Sequence, residues 1–306
     1  MDWKKIVIMT LIIILIPFII ISLFIQEEKI DFEYISNMNV RVKRESTGQI
    51  DVVPLEEYLV GVLAGEMPTS FNMEALKAQT VAARSYVMKK MIYNKDKEYD
   101  VVDTVMNQVY LDDEYLRSVW KDEYDEKIKK LRQAVYATYG EYLEYQGSIV
   151  EAFFFSTSVG KTENSEEVFL TKVPYLRSVD SSWEEGISPV YYDYFNFQLN
   201  EFLDRLELPK SNKIEQKVLK TTNTGRVKEI MINGKKFLAS EIVSKLNLRS
   251  AHFTIEQNGD SIKITTRGYG HGVGMSQYGA EAMARLGYTY DQILKHYYSG
   301  VEIKKI

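Results

Sequence analysis

The sequence predicts an α+β protein: a core of helices and strands with a smaller inserted α+β subdomain, preceded by one N-terminal transmembrane helix. Three observations carry this expectation. Residues 6–25 are twenty in a row without a charge, and at 1.5 Å rise per residue such a run crosses the hydrocarbon of a bilayer. Leu55, Tyr58, Leu59, Val62 and Leu63 recur at helical spacing. Asn233-Gly234 and Asn258-Gly259 are tight-turn pairs in the inserted stretch.

Taken in order, Lys4 and Lys5 before the apolar run favour a cytoplasmic N-terminus and place residues 26–306 outside the cytoplasm. No small-residue cleavage motif follows the run, so an uncleaved anchor is expected. Residues 1–25 are then stub and anchor, and 26–44 a polar tether leading into a strand at Val40 and Val42. A strand over 50–53 precedes a helix over 54–66, with Pro54 at its first position and Met67, placed before Pro68, outside its end. A second helix covers 72–93. Its Ala75, Ala78 and Ala82 form a smooth stripe that admits a close neighbour, and Gly61 and Gly65 offer a matching patch on the first helix. A third helix covers 122–138, and 141–155 reads as a hairpin turning at Gln146-Gly147. The subdomain, 182–248, holds a helix over 197–206, strands around Val218 and Ile230, and a short helix over 240–246. The core is expected over 45–181 and 249–306, closing with a glycine-rich loop and helix over 268–298.

The composition excludes several functions. Lys and Arg number 38 against 43 Asp and Glu, for a net charge of −5, and no cationic cluster suits a nucleic-acid partner. There is no cysteine, which removes disulfides, thiol catalysis and thiolate metal sites. The three histidines, His252, His271 and His296, are scattered, so neither a metal nor another cofactor is expected.

Glu66 carries the most chemistry. Val62, Leu59 and Leu55 precede it on one side of the helix, so a carboxyl sits on the apolar stripe at the negative end of the helix dipole. Both conditions raise its pKa. A carboxyl that keeps its proton near neutrality is what a general acid for glycosidic cleavage requires; alternatively the helix end frays, or a lysine pairs with Glu66. Lys77 and Arg84 share a face of the second helix, either lining a cleft, where Arg84 would orient Glu66 through a bidentate contact, or pointing to solvent. Ser156, Thr157, Ser158, Thr162 and Glu163 follow an apolar strand, a pattern that suits a hydroxyl-rich ligand or an ordinary turn. GYGHGVGMSQYGA sets His271 among glycines, with Gln277 and Tyr278 as sugar-facing groups.

Three blocks then carry a resemblance: VPLEEYLVGVLAGEMPTSFNMEALKAQTVAARSYV, FSTSVGKTENSEEVF with VPYLRSV, and RGYGHGVGMSQYGAEAMARLGYTYDQILKHYY. In this order they resemble the stage II sporulation protein D family. The resemblance implies a membrane-anchored peptidoglycan lytic transglycosylase that acts in engulfment during endospore formation. Its partners would be the amidase stage II sporulation protein P and the membrane protein stage II sporulation protein M, and its site the mother cell's engulfing membrane. It places the catalytic Glu on Glu66 and an important Arg on Arg84. The hydroxyl-rich motif falls on Ser156, Thr157, Ser158, Thr162 and Glu163, and the Gly-His-Gly motif on Gly270, His271 and Gly272. Some members add a His and cysteines that hold zinc, whereas this chain has Phe155 and no cysteine.

The expected activity is cleavage of the MurNAc-GlcNAc β-1,4 bond of peptide-stripped strands with a 1,6-anhydro product. One rival is a hydrolytic muramidase, with Glu163, Glu166 or Glu167 as second carboxylate. The other is a non-catalytic glycan-binding scaffold for an amidase.

Overall fold

The computed structural model describes residues 38–306, together with Trp3. Residues 36–306 form one compact unit. The anchor expected over 6–25 and most of the tether lie outside the described residues; among those described, no helix is long and apolar enough to cross a membrane.

Strand β1 (Asn39–Lys43) pairs antiparallel with β2 (Ile50–Pro54), Val40 opposite Val53, and parallel with β3 (Val101–Val102). Pro54, at φ −53°, hands the chain directly to α1 (Leu55–Glu66), and Met67 beyond it is extended at φ −130° and ψ 143°, as the proline at 68 demands. Helix α2 (Met73–Tyr93) starts at an Asn72 cap whose side chain accepts the Glu74 N–H at 3.0 Å. It is the central post. Around it stand α1, α4 (Tyr124–Ala137), which follows the short α3 (Asp113–Trp120), and strand β4 (Glu141–Tyr145).

Strand β4 turns through Gln146 (φ 49°) and Gly147 (φ 78°) into β5 (Ser148–Ile149), the left-handed pair that a tight hairpin needs. The hairpin is shorter than the expected 141–155. Beyond Ile149 the chain leaves it, and β6 (Phe154–Phe155) pairs parallel with the distant β13 (Met275–Ser276). That pairing buries Phe155 and Met275 and sets two sequence blocks side by side. After a turn of helix, α5 (Ser165–Val168), the chain enters a second region.

There β7 (Tyr192–Gln198), α6 (Leu199–Arg205), the meander β8 (Gln216–Thr221), β9 (Val227–Ile232) and β10 (Lys235–Leu238), helix α7 (Ala239–Leu246), and β11 (Phe253–Asn258) with β12 (Ser261–Arg267) enclose their own apolar cluster. Phe202, Leu203, Ile232, Phe237, Ile242 and Ile264 are at its centre. Its limits differ from the expected 182–248. Strand β12 pairs with β7 from Gln198 opposite Ser261 to Tyr192 opposite Arg267, so the strands after residue 248 belong to this region, because Ile262 and Ile264 bury into its cluster. Residues 182–191 stay with the core, held by Glu184 and Ser188. The chain then returns through β13 to α8 (Gln277–Arg285) and α9 (Tyr290–Tyr297), both against α2, and ends in β14 (Glu302–Lys305) beside β4.

Candidate active site

Gly61 and Gly65 do not receive α2, as the matching smooth patches predicted. A Cβ on Gly61 would stand 2.5 Å from the Leu111 carbonyl oxygen, and one on Gly65 2.7 Å from that of Val109. The glycine face is a bed for the segment 109–111, whose backbone lies directly on the helix. This close approach brings the Val109 N–H to the end of α1, where it donates to Glu66 Oε1 at 2.7 Å.

Glu66 stands in a cavity of about 580 Å³ lined also by Asn107, Phe155, Ser156, Tyr269, His271 and Gln277. Burial raises its pKa above the ordinary carboxyl value; the Val109 N–H and the Gln277 side chain oppose this in part. Gln277 is the first residue of α8, and Ser276 before it caps that helix by accepting the Gly279 N–H at 3.2 Å. Its Nε2 makes no hydrogen bond of good geometry with the protein, which leaves a buried donor at the cavity wall.

His271 closes the opposite side. Its Nδ1 accepts the Val273 N–H at 3.1 Å, and Phe153, Phe155 and Phe169 pack around the ring, at 6.0, 5.7 and 5.4 Å between centroids. Burial, then the Arg226 charge, lower its pKa to about 4. The ring is neutral and structural in character, an apolar wall with its Nδ1 already used. The glycines beside it are required: Gly270, at φ 101°, passes so close to Phe155 that a Cβ would stand 2.9 Å from the Phe155 Cβ.

The remaining expected residues are distributed differently. Arg84 does not orient Glu66. It is fully buried and grips Glu56, Nη2 to Oε2 at 2.6 Å and Nε to Oε1 at 3.1 Å, while Nη1 donates to the Glu141 carbonyl at 2.9 Å. It therefore ties α1, α2 and β4 together, its buried guanidinium paired with the Glu56 carboxylate. Lys77 pairs with Glu74 at 2.7 Å beside the Tyr290 ring and lies off the cavity. Of the hydroxyl motif only Ser156 lines the cavity. Thr157 Oγ1 is 2.7 Å from Ser188 Oγ, and Ser158 gives its N–H to Glu184 at 2.8 Å. Thr162 Oγ1 donates to the Arg177 carbonyl at 3.3 Å and accepts the Val179 N–H at 2.9 Å. Glu163 is buried against Arg226 Nε at 3.2 Å. These four brace the loop behind Ser156. Tyr278 sets its ring edge on Phe71, 5.0 Å between centroids, outside the cavity lining.

Sequence reasoning missed Glu184. Its Oε2 accepts the Ser158 N–H at 2.8 Å and the Ser276 hydroxyl at 2.7 Å, and Ser181 donates to Oε1. One carboxyl thus joins the Ser-Thr-Ser loop to the start of α8, with burial raising its pKa. No local pattern around residue 184 signals this, since apart from Ser181 its partners come from 26 and 92 residues away.

The family described as "Stage II sporulation protein" matches residues 43–145. Stage II sporulation protein D of Bacillus amyloliquefaciens is 43% identical over 276 residues, covering 88% of this chain and 80% of that protein, and the Bacillus subtilis (strain 168) protein of the same name gives the same figures. The chain belongs to the stage II sporulation protein D family. It is thus a sporulation protein. A protein named Amidase enhancer from Bacillus subtilis (strain 168) is 29% identical over 80% of this chain and 40% of its own length.

Phe155 packs its ring against His271, and no three His, Cys, Asp or Glu side chains among the described residues gather into a metal-binding group. What the cavity offers is one carboxyl of raised pKa with the Gln277 amide beside it, a hydroxyl in Ser156, and the aromatic faces of Phe155 and Tyr269. Among the described residues lining it, Glu66 is the one carboxyl.

Proposed function

We propose that this protein is a peptidoglycan lytic transglycosylase that cleaves the MurNAc-GlcNAc β-1,4 bond of peptide-stripped glycan strands, with Glu66 as acid and then base. The observation that carries the reading is the lone, partly desolvated Glu66 carboxyl in a cavity of sugar dimensions. Protonated Glu66 gives its proton to the bridging oxygen as the bond from C1 of the muramyl residue to that oxygen breaks. The carboxylate then takes the proton of the same sugar's C6 hydroxyl as O6 bonds to C1. The products are a 1,6-anhydro end and a free GlcNAc O4 hydroxyl; no water is consumed, and one carboxyl serves both steps.

A hydrolase of the usual kind needs a second carboxylate across the cleft. The three candidates for it are engaged elsewhere: Glu163 with Arg226, Glu166 with Arg177 at 2.6 Å, and Glu167 with Lys228 at 2.8 Å. This favours the single-carboxyl route. The apolar residues 6–25, with Lys4 and Lys5 ahead of them, support a single-pass anchor holding the catalytic part outside the cytoplasm, at the mother cell's engulfing membrane. Family membership, and a relative that carries the name Amidase enhancer, support action beside an amidase such as stage II sporulation protein P, with stage II sporulation protein M in the membrane.

The test incubates wild type and Glu66→Gln with stripped and intact strands and identifies the ends by mass spectrometry. Anhydro ends from stripped strands with wild type alone are expected. Ends carrying added water would make the protein a hydrolase, and no cleavage by folded wild type would leave the scaffold reading.

A further inference from the structure

Gly270 and His271 line two cavities. Behind them, on the side away from Glu66, lies a second one of about 500 Å³ between α7, β9 and the loop before β11. Three cations line it, Arg226, Lys228 and Arg249, and each stands beside a carboxylate, Glu163, Glu167 and Asp193 in turn. Its floor is apolar, with Val227, Val243 and Ala251.

Arg226 is the unusual member. It is 3% exposed, its Nη1 donates to the Gly270 carbonyl at 2.9 Å, and its Nε lies 3.2 Å from Glu163 Oε1. Yet neither Nε nor Nη2 makes a hydrogen bond of good geometry. Both atoms are closed off, since the guanidinium lies on Gly272, where a Cβ would stand 2.8 Å from Nη2, so Arg226 braces the wall while Lys228 and Arg249 face the cavity. Lys228, held at 2.8 Å from Glu167, and Arg249, paired with Asp193, are partly exposed. The Arg249 guanidinium also stacks 4.8 Å above the Tyr269 ring, and Tyr269 lines the Glu66 cavity. One continuous wall, Tyr269, Gly270 and His271, therefore connects a sugar-sized acid site to a cationic pocket with an apolar floor.

Building on the reading that the first cavity cleaves glycan, we propose that the second is a carboxylate-reading subsite on the same strand, taking an N-acetylmuramyl residue through its free lactyl carboxylate. The alternating polymer presents that group on every second sugar. When a stem peptide is attached, the lactyl carbonyl is an amide and its charge is gone, so the cations have nothing to pair with. Lys228 and Arg249, the partly exposed pair, recognise the anion, and the apolar floor receives the lactyl and acetyl methyls. Preference for stripped strands then comes from charge as well as from width.

The experiment measures binding of a reduced tetrasaccharide of alternating GlcNAc and MurNAc to the full-length Glu66→Gln protein by calorimetry. Three ligands are compared: lactyl groups free, converted to methylamides, and extended by L-Ala-D-Glu. The free acid should bind about tenfold tighter than the methylamide. The gap should narrow in about 0.5 M salt and close in Lys228→Gln/Arg249→Gln, a pair of partly exposed positions chosen because Arg226→Gln would leave Glu163 buried without its cation. Equal affinities for acid and methylamide, or a gap unchanged in the double variant, would overturn the proposal. Dipeptide-bearing ligand binding as tightly as the free acid would assign the cations to peptide carboxylates instead and overturn it too. The cleavage assay on wild type judges the Glu66 reaction separately, since a strand can be read at this subsite whether or not it is cut.

Discussion

The Val109 N–H reaches Glu66 Oε1 at 2.7 Å only because Gly61 and Gly65 let the 109–111 backbone lie against α1. The contact does two things: it fixes the carboxyl's direction, and it offsets part of the desolvation that raises its pKa.

The first prediction is a pH profile. Under the proposed mechanism cleavage needs protonated Glu66, whose pKa burial has raised, so the rate should hold at low pH and fall as pH rises through the raised value. The stability sign agrees. A carboxyl raised on folding favours the folded state below its ordinary pKa, and that contribution is lost as pH rises through the folded pKa. Glu66→Gln should therefore melt no lower than wild type near neutrality while losing cleavage. A profile with no Glu66-dependent limb would remove this acid from the reaction.

The second concerns Gly65→Ala. Ala gains about 1 kcal/mol of helix propensity over Gly in a helix interior, and less at this helix end. The new Cβ meets backbone, the Val109 carbonyl oxygen at 2.7 Å, and overpacking costs about 1–3 kcal/mol. The net expectation is a loss of about 1 kcal/mol and a melting point lower by ~2–4 °C. Activity should fall further than stability, because the Val109 N–H moves with its carbonyl. An unchanged melting point with full activity would show that the segment is not seated as described.

Much of the scaffold is legible in the sequence where signals are local. Pro54 and Pro68 bracket α1, and Gln146-Gly147 turns β4 into β5. Glu66 on an apolar stripe is local too, and the structure seats it in the cavity. What could not be read is who meets whom across the chain. The glycine patch on α1 looked like a helix contact, yet it receives an irregular segment that carries no periodicity of its own. Arg84 shows the same limit: seven residues from Lys77 it suggested a donor face, while its partner Glu56 lies 28 residues back. The parallel pairing of β6 with β13, which assembles Ser156 beside Gln277, joins residues some 120 apart.

Arg84 and Glu56 are both buried. Arg84→Ala should cost about 3–5 kcal/mol by leaving Glu56 charged and alone. The double variant Glu56→Leu/Arg84→Met should recover most of that, since an apolar pair of similar volume replaces a desolvated ion pair. Neither residue lines the cavity, so the folded double variant should keep kcat near wild type. A folded but inactive double variant would place Arg84 in the reaction.

His271 should stay neutral well below the ordinary histidine value, because burial and Arg226 lower its pKa to about 4. Its ring resonances, followed by NMR, should show no titration between about pH 7 and 5. Since the folded pKa is depressed, its stabilising contribution is complete above the unfolded value near 6.5 and is lost as pH falls toward 4. A midpoint near 6.5 would mean the ring is solvated and the aromatic wall open.

Glu184 gives the last prediction, because it couples two loops that otherwise share short backbone pairings and the Ser276 hydroxyl on the Ser156 carbonyl. Its carboxyl receives the Ser158 N–H, the Ser276 hydroxyl and the Ser181 hydroxyl. Glu184→Gln keeps the volume but replaces one acceptor oxygen by a donor amide, so at least one of these three loses its partner, at about 1–3 kcal/mol. The damage is directed. Ser276 caps α8 and Gln277 is the next residue, so a displaced cap moves the amide beside Glu66. The expected signature is a kcat loss larger than the fall in melting temperature implies, with the Glu66-dependent limb of the pH profile shifted upward, since Gln277 helps to lower that pKa. Ser276→Ala should give a milder version, losing the cap worth about 1 kcal/mol. If Glu184→Gln melts lower by the expected amount but keeps both kcat and the pH limb, Glu184 supports the fold alone and Gln277 is placed by other contacts.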